Sequence, residues 1–274
     1  MTNDLVKIAK EFPKGFYIVS NKKTGETFTC KTRLDGGDLS ELMREVFDKR
    51  IRQNLLKLKV EIDHQPIEVG LEKYFYIQLA ELGYSIGKET AMNSLLYVAK
   101  QNSFHPIVEF LENIEKDKSI EPVDINKIST DYLGTDNKLY DQMMKVTLVG
   151  MMARVLDRGC KFDTCLTLKG EQGIGKSSFW RLLAGKEWFC DTWQQGDKDL
   201  LLVIQTCWVF EVAELDGMTN KKDAAQIKSL LSSSKDNFRR PYDPAPDDHP
   251  RPSIFVGTCN RADFLTDSTG SGRF

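Results

Sequence analysis

The sequence lacks the patterns that mark several classes of protein. Its 274 residues contain no run of 18 apolar residues, which is the length that a transmembrane helix requires. The six cysteines are scattered without a C-x-x-C pair, and the three histidines are far apart, so we expect neither a zinc site nor a disulfide framework. The first residues lack the apolar segment of a signal peptide, and we expect a cytoplasmic protein without membrane contacts.

A strong excess of one charge is also lacking. The net charge is −2, so nothing global points to nucleic acid, and any such contact must come from local patches. Hydrophobic residues make up 41% and charged residues 28% of the chain, which is typical of a globular protein. The length allows one large domain or two ordinary ones.

A glycine-rich stretch in the second half of the chain carries the strongest motif. It matches G-x-x-x-x-G-K-[ST], the pattern of a phosphate-binding P-loop. The apolar run 165–168 predicts a buried strand before it, and the run 178–183 predicts a helix after it. This context favours binding of a nucleoside triphosphate over the alternative, a glycine-rich turn that matches by chance. The residues predicted to bind the nucleotide are Gly170, Glu171, Gln172, Gly173, Ile174, Gly175, Lys176, Ser177 and Ser178.

The parts of this loop have distinct physical roles. Glycines let the backbone wrap closely around a phosphate, so that successive N–H groups point inward. The following helix adds its own unpaired N–H groups and the positive end of its dipole. Lys176 is predicted to reach the β- and γ-phosphates of ATP, and the Ser177 hydroxyl to coordinate Mg²⁺.

A second strand is needed to supply acids for the metal and for water. The run 207–214 is apolar and becomes acidic at its carboxyl end, where ligands bind in open α/β sheets. Glu211 is predicted to hold the metal and Glu214 to polarise the attacking water, with the exchange of these two roles left open. The alternative is a strand that merely ends in surface acids.

Two more polar residues complete the predicted catalytic set. The run 253–260 predicts a third strand with Asn260 at its tip, where an amide can sense the γ-phosphate and help to position water. The alternative is an asparagine that opens a turn. Arg273 lies on a glycine-rich segment and is a candidate arginine finger for the nucleotide of a neighbouring subunit.

The stretch 221–240 is basic, with six Lys or Arg residues against two Asp, so 6 − 2 = +4. Phe238 and Tyr242 are interleaved with these cations, and rings together with cations are the components of a single-strand channel. The competing interpretation is a solvated helix followed by a proline-rich loop.

The N-terminal part is predicted to be mostly helical, with one hairpin. Residues 13–31 have the β-rich runs and glycine turn of a hairpin, and Asp38 to about Lys57 has helical spacing. The end of this helix, residues 49–59, is basic and is either a nucleic-acid strip or, more often, a solvated helix face. Two more helices are predicted within 71–115 and another over 139–156. A polar linker at 116–122 predicts two domains, 1–118 and 119–274.

Several short motifs occur together in a fixed order, and this order resembles the virulence-associated protein E family, a superfamily 3-like branch of AAA+ helicases of phages and genomic islands. The resemblance is clear from about residue 119 to the end and weaker over 70–112. It rests on the motifs at 132–134, 159–163, 170–177, 211–216, 239–242, 255–261, 264–265 and 267–274, together with Lys228.

The resemblance implies an ATP-driven motor that forms a hexameric ring and moves along single-stranded or forked DNA during replication of a mobile element. ATP would lie between adjacent subunits, with Arg273 offered in trans. The basic stretch would contact DNA through Lys228, Arg239 and Arg240. Gly272 stands where the family usually has a further arginine, and relatives continue beyond Phe274, so we expect a C-terminal part of the ATPase core to be missing.

Together these observations predict an α/β fold: a P-loop NTPase sheet of parallel strands flanked by helices, preceded by the mostly helical N-terminal region. The predicted function is a DNA-dependent ATPase and helicase with ATP and Mg²⁺ as cofactors. One alternative is a nucleotide-gated DNA-binding or scaffold protein without productive unwinding. Another is a small-molecule P-loop kinase, against which Asn260 and Arg273 speak.

Overall fold

The computed structural model describes residues 11–67, 71–193, 197–213, 221–239 and 245–260. The chain divides into two compact units, one up to Pro106 and the other from Ile107 onward. This division precedes the domain boundary predicted between residues 118 and 119. The predicted linker at 116–122 therefore lies within the second unit.

The first unit begins with the hairpin that the sequence predicts. Strand β1 (Phe16–Ser20) pairs antiparallel with β2 (Thr27–Arg33). Gly25 closes the turn between them, with φ 72° and its N–H donating to the Asn21 carbonyl at 2.9 Å. All five residues of β1 are exposed, so the hairpin is not part of the core along this strand.

Helices and a second small sheet complete the first unit. The helices are α1 (Gly36–Phe47), α2 (Leu71–Glu81) and α3 (Lys88–Gln101). The remaining strands are β3 (Ile51–Asn54), β4 (Lys59–Ile62), β5 (Gln65–Pro66) and β6 (Tyr84–Ser85). β3, β4 and β5 form an antiparallel sheet, while β6 pairs with β2 in parallel. Over residues 11–67 and 71–106 the three helices comprise more residues than the strands, but the six short strands exceed the single hairpin that the sequence predicts.

The helix predicted from Asp38 to about Lys57 ends much earlier, at Phe47. A capping box between Asp35 and Asp38 fixes its start. The side chain of Asn54 then builds a turn, because its Oδ1 accepts from the N–H groups of Leu56 and Lys57 at 3.0 and 2.9 Å. This turn reverses the chain into β4, so the apolar residues that fit a helical spacing belong to a β-hairpin.

The basic strip at 49–59 is therefore not a helix face. Arg50 binds the carboxylates of Glu11 and Asp63, each at 2.5 Å. The Arg52 guanidinium lies over the Phe104 ring at 3.7 Å from its centroid. Arg50 and Arg52, two cations of the strip considered for nucleic-acid contact, thus have partners within the first unit.

The second unit contains a parallel sheet flanked by helices. Its helices are α4 (Pro106–Lys116), α5 (Ile128–Leu133), α6 (Lys138–Leu156), α7 (Lys176–Ala184), α8 (Asp197–Thr206) and α9 (Lys221–Ser232). The strands are β7 (Leu166–Lys169), β8 (Phe189–Cys190), β9 (Val209–Val212), β10 (Lys235–Phe238), β11 (Asp247–Pro250) and β12 (Ile254–Cys259). No helix in the described ranges is long and apolar enough to cross a membrane.

The strand order of the four-stranded sheet is β7–β12–β9–β8, and all pairs are parallel. β12 therefore lies between the strand that leads into the glycine-rich loop and the strand that carries Glu211. Val256 is paired with Glu211, so the alternation of side chains puts Glu211 and Thr258 on one face. The other face packs against α8 and α9 in a buried cluster. Its members include Leu200, Ile204, Phe210, Ile227, Leu231 and Phe255, together with Cys165, Cys207 and Cys259.

A hairpin of β10 and β11 precedes β12 and is held by a buried ion pair. Arg251, which is fully buried, donates through Nε to Asp236 at 3.1 Å and forms a second hydrogen bond to the same carboxylate. Gln205 of α8 donates to Asp236 at 2.8 Å, and Arg251 also donates to the Leu230 carbonyl of α9. The base of this hairpin is thereby fastened to both helices.

Candidate nucleotide-binding site

The glycine-rich loop lies between β7 and α7, as the sequence predicts. Gly173 has φ 83° and Gly175 has φ 100°, values that favour glycine because a Cβ atom would be strained there. Gly175 is also the N-cap of α7, and no side chain caps this helix. The first N–H groups of α7 therefore face the loop without a side-chain acceptor, which is the arrangement that binds phosphate.

Lys176 connects the loop to the neighbouring strand. Its Nζ donates to the carbonyl oxygens of Gly170 and Glu171 at 2.7 and 2.9 Å, and to Asn260 Oδ1 at 3.0 Å. The amine is thus held at the carboxyl end of the sheet by three oxygens. An ammonium in this position is able to exchange these oxygens for those of a phosphate.

Glu211 is the buried acid of the site, with 1% of its surface exposed. Its Oε1 accepts hydrogen bonds from the Ser177 and Thr258 hydroxyls, both at 2.7 Å. Within the described part of the chain, its Oε2 is buried and has no hydrogen-bond partner. A buried carboxylate oxygen normally has one, so this atom is suited to a ligand. The carboxylate and the Ser177 hydroxyl offer the oxygen ligands that Mg²⁺ prefers.

Thr258 was not anticipated as a site residue. It is the one polar side chain in the middle of the apolar strand β12, and it lies two positions before Asn260. A buried threonine two residues from a predicted site asparagine shares its face of the strand, and this signal was present in the sequence.

The structure brings together four residues that belong to three separate sequence motifs: Lys176, Ser177, Glu211 and Asn260. Glu214 and Arg273 lie outside the described residues, so their predicted roles stay predictions. The same holds for Arg240 in the basic stretch. Over the described residues, no group of three or more His, Cys, Asp or Glu side chains is arranged to hold a metal ion.

The basic stretch folds as α9 followed by the β10–β11 hairpin. Lys228 lies half-buried on α9, and Arg239 is exposed directly after β10. Phe238, which we expected to be available for base stacking, is 4% exposed and packs against His249 at 4.5 Å between ring centroids. That part of the prediction is wrong, because alternation along β10 turns this ring inward. Tyr242 lies outside the described residues.

Comparison with known proteins gives one family. A family model described as the virulence-associated protein E-like domain matches residues 112–274, more than half of the chain. Among solved structures, the A form apo structure of the NrS-1 C-terminal region is similar at a TM-score of 0.33 and 13% identity. That match covers 54% of this chain and 35% of the other. A comparison with curated proteins gave no significant match.

Proposed function

Because the chain belongs to the virulence-associated protein E-like domain family, we propose that it is an ATP-dependent DNA helicase or translocase. Its second unit would be a P-loop ATPase of the AAA+ superfamily 3 type. Its role would be in the replication of a phage or another mobile element, in the cytoplasm.

One observation carries the proposal. Lys176, Ser177, Glu211 and Asn260 converge at the carboxyl end of three adjacent parallel strands, linked by hydrogen bonds of 2.7 to 3.0 Å. This end of an open α/β sheet is where ligands bind. A cation for phosphate, a hydroxyl and carboxylate for a metal, and an amide for the γ-phosphate are the groups that phosphoryl transfer requires.

The groups of the chain divide the chemistry between them. The N–H groups of the loop and of the first turn of α7 would hold the phosphates, and Lys176 would neutralise the β- and γ-phosphates. Ser177 and Glu211 would hold Mg²⁺, which supplies charge neutralisation at the transferred phosphoryl group. Asn260 would orient the attacking water, and Glu214 would polarise it.

DNA is proposed as the partner because of the positive charge of the stretch 221–240. Lys228 lies on α9 and Arg239 directly follows β10, with Arg240 next in the sequence. The β10–β11 hairpin is followed in the chain by β12, which contains Thr258 and is followed by Asn260. Only residues 251–253 separate β11 of the hairpin from β12 of the nucleotide-site sheet, so a short covalent connection would couple DNA contact to hydrolysis. In this proposal the subunits form a hexameric ring, and Arg273 acts in trans on the nucleotide of the neighbour.

Steady-state ATP hydrolysis with and without single-stranded DNA tests the proposal. We expect stimulation by DNA, loss of turnover in Glu214→Gln with ATP binding retained, and a raised Mg²⁺ requirement in Glu211→Gln. If Glu211→Gln instead gives tight ATP binding without turnover while Glu214→Gln stays active, the two roles are reversed. If DNA binding depends on ATP but no ATP is hydrolysed, the protein is a nucleotide-gated DNA-binding protein and not a motor.

A further inference from the structure

We propose that the β1–β2 hairpin of the first unit binds single-stranded DNA by stacking bases on Tyr17 and Phe28. In the strand pairing, Tyr17 lies opposite Cys30 and Val19 opposite Phe28. These four residues therefore share one face of the hairpin, and Tyr17 and Phe28 occupy diagonal positions, whose Cα atoms are typically about 7–8 Å apart. Its residues are different from those of the nucleotide site and of the basic stretch at 221–240.

The rings are exposed where an apolar face would ordinarily be covered. Tyr17 and Phe28 are 51% and 52% exposed. The same face continues into the core, because Thr32 pairs with the buried Tyr84. The face is thus packed at the base of the hairpin and open over its outer part. Two large rings kept in water lose the free energy that their burial would release, and a flat π-system that covers them recovers it.

Charge favours a polyanion as the occupant. Residues 14–33 contain five cations and one acid, so 5 − 1 = +4 in a chain whose net charge is −2. Lys22 and Lys23 are exposed at the turn, and no carboxylate in the described part of the chain forms an ion pair with either. The single acid, Glu26, accepts a hydrogen bond from the Thr24 hydroxyl at 3.2 Å. Exposed rings bordered by exposed lysines are the components of a single-strand binding surface.

A single strand is required because the bases of a duplex are stacked on each other and cannot reach the rings. DNA rather than RNA is proposed because the second unit is proposed to act on DNA, and only this choice rests on the proposed function. The stacking surface itself needs no nucleotide and no hydrolysis.

The first experiment measures fluorescence anisotropy of a labelled 20-nucleotide oligothymidylate with the full chain and without ATP. Tyr17→Leu combined with Phe28→Leu keeps the apolar bulk but removes both π-faces, and we expect affinity to fall about tenfold or more. Ile18→Ala is the matched control, because Ile18 is 72% exposed on the opposite face. It should leave affinity within about twofold. Lys22→Gln with Lys23→Gln should lower the salt slope by about 0.7 for each lost contact.

The second experiment locates the contact. Photo-cross-linking with 5-iodouracil in the oligonucleotide, followed by peptide mapping, should label the peptide that contains Tyr17 or Phe28. Labelling confined to residues 221–250 would overturn the proposal, as would unchanged affinity in the double leucine variant. Tighter binding of oligouridylate than of oligothymidylate would overturn the choice of DNA.

A protein partner would give a different pattern. If the face joined two copies of the chain, the mass in solution would rise with concentration. The leucine variant would then keep this association, while Tyr17→Ser with Phe28→Ser would lose it, and this result would contradict the proposal. ATP binding by the leucine variant should equal that of wild type, so failure at the hairpin and failure at the nucleotide site are measured separately.

Discussion

At the scale of single residues, the ion pair of Arg251 and Asp236 is important for folding, because both side chains are almost completely buried. Asp236→Ala would leave the Arg251 charge without its carboxylate, and we expect a loss of about 3–5 kcal/mol in the free energy of unfolding. Urea unfolding followed by tryptophan fluorescence is a suitable measurement, since all four tryptophans lie in the second unit.

The neighbouring Asp248 provides the control for this substitution. It forms an exposed ion pair with Lys235 on the same hairpin, so Asp248→Ala should cost less than about 1 kcal/mol. An equal loss of unfolding free energy in the two variants would show that burial does not make the Asp236 ion pair more important for stability than the exposed one.

Lys176 is the second residue with a sharp expectation. Lys176→Ala removes the cation that lies between the loop carbonyls and Asn260, and we expect ATP affinity to fall about 100-fold or more. Folding should survive, because the side chain is only half-buried. Isothermal titration with ATP is the measurement, and Lys186→Ala, an exposed lysine after α7, is the control. Wild-type affinity in Lys176→Ala would refute the assignment of this loop.

The residue scale also shows what sequence can and cannot predict. The glycines and Lys176 follow from local spacing, because a phosphate loop is built from neighbouring residues. The contact between Glu211 and Thr258 joins residues that are far apart in the sequence, and it exists only because β12 pairs with β9. Arg251 shows no local signal at all, since its importance comes from burial among α8, α9 and the hairpin.

At the scale of elements, α6 packs closely through a glycine. A Cβ atom on Gly150 would overlap Cε2 of the Phe162 ring. Alanine favours a helix over glycine by about 1 kcal/mol, but overpacking costs about 1–3 kcal/mol. We expect Gly150→Ala to destabilise the second unit by about 1 kcal/mol in urea unfolding.

The ring of Phe162 supplies the test of this reason. In a Phe162→Leu background the contact is relieved, so Gly150→Ala should then stabilise the unit through helix propensity. A destabilisation of the same size in both backgrounds would exclude the ring as the cause.

The start of α5 depends on a carboxylate of α6. The Asp141 side chain accepts from the Thr130 hydroxyl at 2.6 Å and from its N–H at 2.9 Å. These hydrogen bonds, the hydroxyl first, lower the pKa of Asp141 below its ordinary value. In the unfolded chain the group binds a proton at higher pH, so its stabilisation is present at neutral pH and is lost as the pH falls through the lowered pKa.

Asp141→Asn should therefore destabilise the protein at pH 7 and have less effect near pH 3. Urea midpoints of wild type and variant, measured at both values, give the comparison. An equal difference at the two values would mean that the charge of Asp141 does not contribute.

Element boundaries in the first unit show where sequence patterns fail. The spacing of Leu55 and Leu58 fits a helix, yet both lie in or beside the turn that Asn54 builds. A helix and a short β-hairpin compete closely at this length, and side-chain hydrogen bonds to the backbone decide between them. The helix predicted over 139–156 is found at 138–156, although several apolar residues that suggested it, such as Val146 and Val149, are exposed.

At the scale of the whole molecule, the proposed ring makes activity a property of pairs of subunits. A chain with Arg273→Ala and a chain with Lys176→Ala each lack one half of the composite site. Mixed at high concentration, they should regain part of the ATPase activity, because one interface in the mixture is intact. Hydrolysis rates against total protein concentration measure this. Turnover by wild type that is high and independent of concentration would contradict a role for Arg273 in trans.

Three buried cysteines of the parallel sheet can report on its opening. Cys165 precedes β7, Cys207 precedes β9 and Cys259 ends β12, and all three thiols are buried. Burial raises the pKa of Cys165 to about 12 and that of Cys207 well above its ordinary value, so almost no thiolate is present while the sheet is closed. Alkylation of these thiols therefore requires the strands around the glycine-rich loop to separate, and the alkylation rate reports how often they do so. We expect a ligand that stabilises the loop to lower the alkylation rate in proportion to the opening that it prevents.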